Sequence, residues 1–412
     1  MSMNSNLECK VCNGEIRRFL TLGDIPPVNA FLDSSEIPKE KVYPLNLAYC
    51  KSCLLVQLED IVPPENLFSN YLHLSSASAS NINHLQEVAE TLNSRFKINT
   101  NTKVLEIGSN DGTLLSFLKK YTSNLLGIDP AENLVKLSKE KGIETLPKFF
   151  NTLTATEIAK VNGNFDIVMA LNVIPHTPNV IDLLRGVERV LSQKGTLVME
   201  GAYALETILK GEFDTIYHEH VYSFSLHSLI STFKHTGLKV VDVEKIPTQG
   251  GSLRIFAQKE KETSFSYSSI NAILKEEKNQ GLINPTIYHN VESKVYNFKK
   301  NLKKIVEEEN KKYGKLIGLG APARGVVILN YCGFGINDIE YLIDDTPLKQ
   351  GKVAPGVHIP VKSWEELKSY KNQTFLLLSW NYKDHILSKL HQYIPSCRVI
   401  IPFPKLEVKK ID

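Results

Sequence analysis

Along residues 102–121, "TKVLEIGSNDGTLLSFLKKY", the hydrophobic positions change period. Val104, Leu105 and Ile107 form a short apolar run broken only by Glu106, a glycine-bearing turn follows, and Leu114, Leu115, Phe117 and Leu118 then recur at helical spacing. That switch predicts a buried strand, a tight turn and an amphipathic helix. "NLLGIDPAENLVKLSKEKG" repeats it, with a strand ending in Asp129. "FDIVMALNVIPHTPN" and "GTLVMEGAY" read as further buried strands, running out at Asn172 and His176 and at Glu200. A helix around "SLHSLISTFKHTG" precedes "LKVVDVEKI" and "GGSLRIFAQK", which read as an antiparallel pair. These alternating β/α units predict an open α/β sheet.

A highly charged helix, "FKKNLKKIVEEENKKYGK", follows and reads as a connector with a solvated face. Beyond it "KLIGLGAPARGVVILNYCGF" again runs strand, glycine turn, helix, and "IEYLIDDTPLKQGKVAPGVHIPV" and "TFLLLSWNY" add strands of a second, smaller α/β domain. Near the start of the chain "GDIPPVNAF" and "IVPPENLF" are proline-marked loops, and no long periodic segment lies between Cys12 and Cys50. At 412 residues the chain exceeds one ordinary core. The expected division is 1–75, 76–260 and 261–412.

The chemistry at the strand ends narrows the ligand. Gly108 and Asp129 have about the spacing of a nucleotide-binding βαβ unit, whose acid bonds ribose hydroxyls. However, "EIGSNDG" is not GxGxxG, and Glu106 and Asp111 would bring negative charge towards a pyrophosphate. A cofactor with a positive centre and no phosphate suits the turn better, and S-adenosylmethionine has both properties. Five β/α units closed by an antiparallel pair match the class I (Rossmann-like) methyltransferase sheet. The cofactor candidates are Glu106, Gly108, Asn110, Asp111, Gly112, Asp129, Pro130, Phe150 and Asn172. Taken singly, Asp129 could cap the helix after Pro130, Phe150 could be core, and His176 could be a loop histidine. Glu106, Asp129, Asn172, His176, Glu200 and the stretch "FDTIYHEHVYSFS" (213–225) all fall at the carboxyl ends of strands, where open α/β sheets bind ligands.

Composition and charge alter this picture little. The chain is 42% hydrophobic and 23% charged, with a net charge of +3, which gives no electrostatic case for nucleic acid. No run of eighteen apolar residues suggests a membrane span, and "MSMNSNLECKVC" lacks the apolar core of a secretory signal. Four of the six cysteines form two close pairs, "CKVC" (Cys9, Cys12) and "CKSC" (Cys50, Cys53). The pairs predict a structural Zn²⁺ with a closed S₄ shell in a reducing cytoplasm. A redox CxxC would need a βαβ context, which is absent there. In the C-terminal turn at Gly320 and Ala321 there is no acid, and Arg324, Lys349 and Lys352 stand nearby as lone cations, so a phosphate-bearing substrate is expected.

In order along nearly the whole chain, the CxxC…CxxC module, "VNAF", "LEIGSNDGTLL", "NVIPHTPNV", "FDTIYHEHVYSFS", "GLGAPARG", "DDTPLKQGKVAPGVHIPV" and "SWNY" resemble the nucleotide-sugar C-methyltransferases of deoxysugar biosynthesis. The resemblance implies C-methylation, for example at C-3 of a 4-keto-6-deoxyhexose carried on TDP or GDP. It makes His220 the general base, gives Tyr217, Glu219 and His176 to holding and polarising the ketosugar, and has the C-terminal domain bind the nucleotide diphosphate. The family's Tyr-x-Tyr-x-Ser-Ser linker reads "NYLHLSS" here, keeping Tyr71 for catalysis and placing His73 where the second tyrosine stands, as a substitute donor to substrate. Glu200, Trp380 and Asn381 complete the expected substrate set, and a monomer is expected. Rival readings are an O- or N-methyltransferase, a zinc-containing nucleic-acid-binding or scaffold protein, and a catalytic metal at His218, Glu219 and His220. Adjacent side chains on an extended segment diverge, which disfavours that metal.

Overall fold

The computed structural model describes residues 8–68, 74–76, 78–260, 268–369 and 373–411. Tyr71 and His73 lie outside the described residues. The alternation that begins at Val104 builds a seven-stranded sheet. In chain order its strands are Val104–Ile107, Leu125–Ile128, Thr145–Leu146, Phe165–Leu171, Leu191–Ala202, Leu238–Ile246 and Ser252–Lys259. Across the sheet the order is third, second, first, fourth, fifth, seventh, sixth. The first five pair in parallel and the last two join antiparallel. This is the class I methyltransferase arrangement that the alternation implied. Val104, Leu105 and Ile107 are all buried, because helices cover both faces of a parallel sheet. Strand order reverses between Val104–Ile107 and Phe165–Leu171, so the crevice opens where Gly108 and Asn172 leave their strands.

A second α/β sheet contains Leu316–Leu319, Ile339–Ile343, Val361–Lys362, Thr374–Leu377, Cys397–Ile401 and Glu407–Ile411. Leu316–Leu319 lies between Ile339–Ile343 and Thr374–Leu377, so here the order reverses beyond Leu319 and Leu377. The helix Ala323–Cys332 starts at that point.

Ahead of both sheets, the expected irregular module is instead an antiparallel sheet of Ile16–Ile25, Tyr43–Cys50 and Val56–Leu58. Its alternation is hard to see in the sequence because the pairing shifts register between Arg18 and Leu20 and again between Thr21 and Asp24. Its fourth strand comes from far along the chain: Tyr222–Ser223 pairs antiparallel with Val56–Gln57. The segment just past "YHEH" is therefore an edge of this N-terminal sheet.

The charged connector is part of a 28-residue helix, Thr286–Tyr313, and Tyr288, Val291, Val295, Leu302 and Val306 form its buried stripe. The Tyr288 ring stacks on Tyr49 with centroids 4.0 Å apart. The N-terminal module also meets the C-terminal domain directly. Leu32 and Val353 exchange backbone hydrogen bonds of 3.2 and 2.9 Å, and Glu40 accepts from Gly356 N–H at 2.8 Å and pairs with His358 at 2.7 Å. Residues 213–225 thus lie where three units converge. Among the described residues, no helix is long and apolar enough to cross a membrane.

Candidate active site

The turn after the first strand of the large sheet is built for close approach. Gly108 has φ +68°, and a Cβ there would lie 2.4 Å from Val173 Cγ2, so only glycine fits. Gly112 (φ +73°) and Asn110 (φ +52°) curl the turn further. The neighbouring strand pins it: Gly108 N–H donates to the Ile128 carbonyl at 2.7 Å, and Asn110 N–H to Asp129 Oδ2 at 2.9 Å. Asp129 Oδ1 accepts Ala131 N–H at 2.9 Å, so this acid braces the next helix as well. From above, Ser75 N–H reaches Asn110 Oδ1 at 2.9 Å, and Ser76 N–H reaches Asp111 at 3.2 Å.

Three carboxyl groups crowd this turn, and they differ. Burial pushes Asp111 up, but hydrogen bonds from Ser76 and Thr113 and the Lys141 ammonium at 3.0 Å outweigh it and hold its carboxyl low. Glu106 is 5% exposed, and its Oε2 has no hydrogen-bond partner among the described residues. Burial first, then the charges of Asp129 and Asp111, raise it well above the usual carboxyl range. A cationic donor over the turn relieves that strain and a phosphate aggravates it. The residues present therefore fit S-adenosylmethionine. Replacing Asp129 by Asn puts an amide N–H against the backbone N–H groups it now accepts. Loss of a charge-assisted hydrogen bond of ~1.5–3 kcal/mol is expected to weaken cofactor binding roughly 10- to 100-fold, read by titration calorimetry; an unchanged affinity would contradict this bracing role.

Other expected cofactor residues are placed as follows. Asn172 (φ +56°) lines a cavity beside His176. Pro130 is half-buried at the entry to the following helix. Phe150 is buried against Gly186, with the neighbouring Phe149 ring 38% exposed. The sequence directs Glu200 towards substrate; the structure instead closes both its oxygens, Oε2 with His84 at 2.7 Å and Oε1 with Arg254 at 2.6 Å. His84 and Arg254 are distant in sequence, so no local pattern announces this pairing.

His220 lies across the crevice on the cavity wall, with Asn172, His176 and Thr215. Its Nδ1 is 2.6 Å from the Thr215 carbonyl oxygen. A carbonyl only accepts, so Nδ1 carries the proton and Nε2 keeps the lone pair. The Tyr217 ring lies 3.9 Å from the imidazole, and His176 meets it edge-on at 4.8 Å. Burial depresses His220 to about 4, with the Thr215 hydrogen bond opposing and the Arg324 charge adding to it. Burial, and next the Glu219 charge, push the Tyr217 phenol up, so it stays a protonated donor.

The neighbours of His220 diverge. Glu219 Oε1 accepts from Asn29 Nδ2 at 2.6 Å, while His218 Nε2 faces the Tyr43 and Pro44 carbonyls at 3.2 and 3.3 Å. His218 thus docks this loop on the N-terminal module. The Asn29 contact is one that the sequence reading missed; its only signal was the polar position inside "VNAF", between buried Val28 and Phe31.

Among the described residues, the group able to hold a metal is Cys9, Cys12, Cys50 and Cys53, whose Sγ atoms all lie within 4.8 Å of one another. Cys9 and Cys53 are 3.6 Å apart and Cys12 and Cys50 3.5 Å. These separations are too long for disulfides at ~2.05 Å and near the ~3.8 Å edge of a tetrahedron with Zn–S of ~2.3 Å. The two halves repeat one turn. Asn13 N–H returns to the Cys9 carbonyl and Leu54 N–H to the Cys50 carbonyl, each from a residue at φ +57°. Ser52 N–H adds a 3.3 Å hydrogen bond to Cys50 Sγ, of the kind that orients a thiolate.

In the C-terminal domain none of the three expected cations stands alone. Arg324 forks onto Asp214 and reaches Glu212, Lys349 donates to the Ala321 carbonyl at 2.9 Å with Asp344 at 3.8 Å, and Lys352 pairs with Asp33 at 3.0 Å. Of the four acids, all but Asp344 lie in other units, so "GAPARG" reads as acid-free in sequence and is not in space. Gly320 (φ +87°) sits so close to Ser379 that a Cβ would meet its Oγ at 1.9 Å. Ala321 N–H donates to Asp344 at 2.8 Å. Trp380 Nε1 donates to Asp214, and Asn381 is exposed.

A family model for a C-methyltransferase C-terminal domain matches residues 247–404, one for a methyltransferase domain matches 81–243, and one for a zinc binding domain matches 9–68. C-methyltransferase NovU of Streptomyces niveus is 30% identical over 404 residues, 97% of this chain and 96% of that protein. The chain belongs to the C-methyltransferase family. This C-methyltransferase is S-adenosylmethionine-dependent and carries a Cys₄ zinc site in its N-terminal module. Its methyltransferase domain is also similar to methyltransferase YcgJ of Bacillus subtilis, 27% identical over 152 residues, 35% of this chain and 59% of that one. Magnesium protoporphyrin IX methyltransferase from Synechocystis, solved with bound S-adenosylmethionine, overlaps 43% of the C-methyltransferase chain and 79% of its own at 14% identity and a TM-score of 0.33.

Proposed function

We propose that this C-methyltransferase methylates a carbon next to the ketone of a nucleotide-linked 4-keto-6-deoxysugar, at C-3′, with His220 as the general base. The observation that carries this reading is the tautomer of His220: a ring fixed by the Thr215 carbonyl, presenting Nε2 to the cavity beside a protonated Tyr217. A C–H bond next to a carbonyl is acidic enough for a neutral imidazole only if the developing enolate is held. The Tyr217 hydroxyl and the His176 ring supply that hold as donors to the ketone oxygen, with Tyr71 from the linker. Glu219, oriented by Asn29, takes a sugar hydroxyl. Burial keeps His220 unprotonated at neutral pH but makes it a weaker base, so the donors at the oxygen carry more of the stabilisation.

S-adenosylmethionine, when bound, supplies the methyl group on a positively charged sulfur. Glu106 faces the cationic end of that cofactor, Asp129 takes its ribose hydroxyls, and Asn172 closes the crevice between cofactor and sugar. His73, Gly320, Ala321, Lys349, Lys352 and Asn381 belong to the nucleotide-diphosphate side, with TDP or GDP as the carrier, and the enzyme acts as a monomer. The test is to present keto-deoxysugar nucleotides together with S-adenosylmethionine and analyse the products by mass spectrometry and NMR. The expected product gains one methyl group on carbon adjacent to the ketone. A methyl on oxygen or nitrogen would overturn the reading.

A further inference from the structure

We propose that Arg324 is a positioning residue: it reaches from the C-terminal domain to hold the turn at residues 212–215 and, through the Thr215 carbonyl, fixes the orientation of His220. This rests on the reading of His220 as base. The C-terminal sheet has its own crevice where strand order reverses, beyond Leu319 and Leu377, and open α/β sheets use that place for ligands. Here the crevice holds a carboxylate of the protein itself. Asp214, fully buried, accepts from Arg324 Nε at 3.0 Å and Nη2 at 2.9 Å, and from Trp380 Nε1 at 2.7 Å. Glu212, also buried, accepts from Arg324 Nη2 at 3.0 Å. The guanidinium lies 4.2 Å over the Trp380 ring, which fixes its plane. A two-pronged donor between two carboxylates leaves little freedom for the turn that joins them.

That turn leads to the base. Thr215 follows Asp214 directly, its hydroxyl closes the turn onto the Glu212 carbonyl at 2.9 Å, and its carbonyl takes His220 Nδ1–H at 2.6 Å. Four links therefore connect the C-terminal domain to the lone pair on Nε2: Arg324, Asp214, the Thr215 carbonyl and the imidazole. Asp214 and Glu212 occupy Arg324 as a phosphate would, so its part in the reaction is to aim the base.

The test is steady-state kinetics of Arg324→Met, Asp214→Asn and the double variant, with S-adenosylmethionine affinity by calorimetry as the check on folding. Misplacing a reacting group by ~1 Å can lower rate by roughly a hundredfold. The expected result is a fall of kcat of about that size with KM for the nucleotide sugar little changed, and a double variant no slower than either single one. Arg324→Lys keeps the charge without the fork and should recover part of kcat. A raised KM at normal kcat would make Arg324 a substrate contact and overturn the proposal, as would wild-type kcat in both single variants. If Arg324→Met does not fold, Arg324→Lys and Asp214→Asn decide by the same split. His220→Ala separates the two ideas. If it keeps activity, the base assignment fails; if it is inactive while the Arg324 and Asp214 variants run normally, only the latch fails.

Discussion

A His220→Ala enzyme is expected to bind S-adenosylmethionine with unchanged affinity and to lose about 10²–10⁴ in kcat, the usual worth of a positioned general base. Binding is spared because the cofactor turn is held by hydrogen bonds to Asp129, the Ile128 carbonyl and the 75–76 linker, whereas the His220 ring is held by the Thr215 carbonyl. His220→Asn should behave alike, since an amide has no lone pair of comparable basicity. The pH profile of the unmodified enzyme gives a second view. A base works when unprotonated, and burial lowers His220 to about 4. As far as His220 governs it, kcat/KM should stay level from neutral pH down to about pH 5 and fall only as pH nears 4. An acid limb at ~6.5, the value for an unperturbed histidine, would show that the ring is not enclosed as described.

Removing the zinc is expected to stop methyl transfer while leaving the cofactor turn intact. Structural zinc supplies roughly 10–16 kcal/mol of apparent binding free energy at neutral pH, and that binding free energy is folding free energy for the module that carries the ion. Its unfolding would take away Asn29 from Glu219, the Tyr43 and Pro44 carbonyls from His218, and the pairing of Val56–Gln57 with Tyr222–Ser223. All three contacts fix the loop that carries His220. A Cys50→Ser protein should therefore lose metal, become open to proteolysis within residues 8–68, and lose kcat by more than a hundredfold, with calorimetric affinity for S-adenosylmethionine preserved. Metal-free protein of full activity would show that the module is not needed to shape the site.

The parts of this molecule legible in its sequence are those built from local pattern. The run from Val104 to Leu118 shows strand, turn and helix because periodicity changes from one apolar block to the next. The two CxxC pairs announce their metal because a two-residue spacer suits one tetrahedral ion. What was hidden depends on partners far apart in the chain. Arg324 reads as a free cation until the fold brings Asp214 and Glu212 to it, and Glu200 reads as a substrate contact until His84 and Arg254 enclose it. The N-terminal sheet was obscured for a different reason, since bulged strands lose the two-residue alternation that marks a sheet. Asn29 was doubly hidden, lying on a proline-marked loop and gaining its meaning only from Glu219, 190 positions later.

Solvent exchange tests the central claim most directly, because it isolates proton removal from methyl transfer. The measurement incubates the enzyme with the keto-deoxysugar nucleotide in heavy water, with S-adenosylhomocysteine in place of the methyl donor, and follows the substrate by NMR. The account predicts that deuterium enters at the carbon adjacent to the ketone with wild-type protein and not with His220→Ala. Equal deuterium uptake by the two proteins would contradict it.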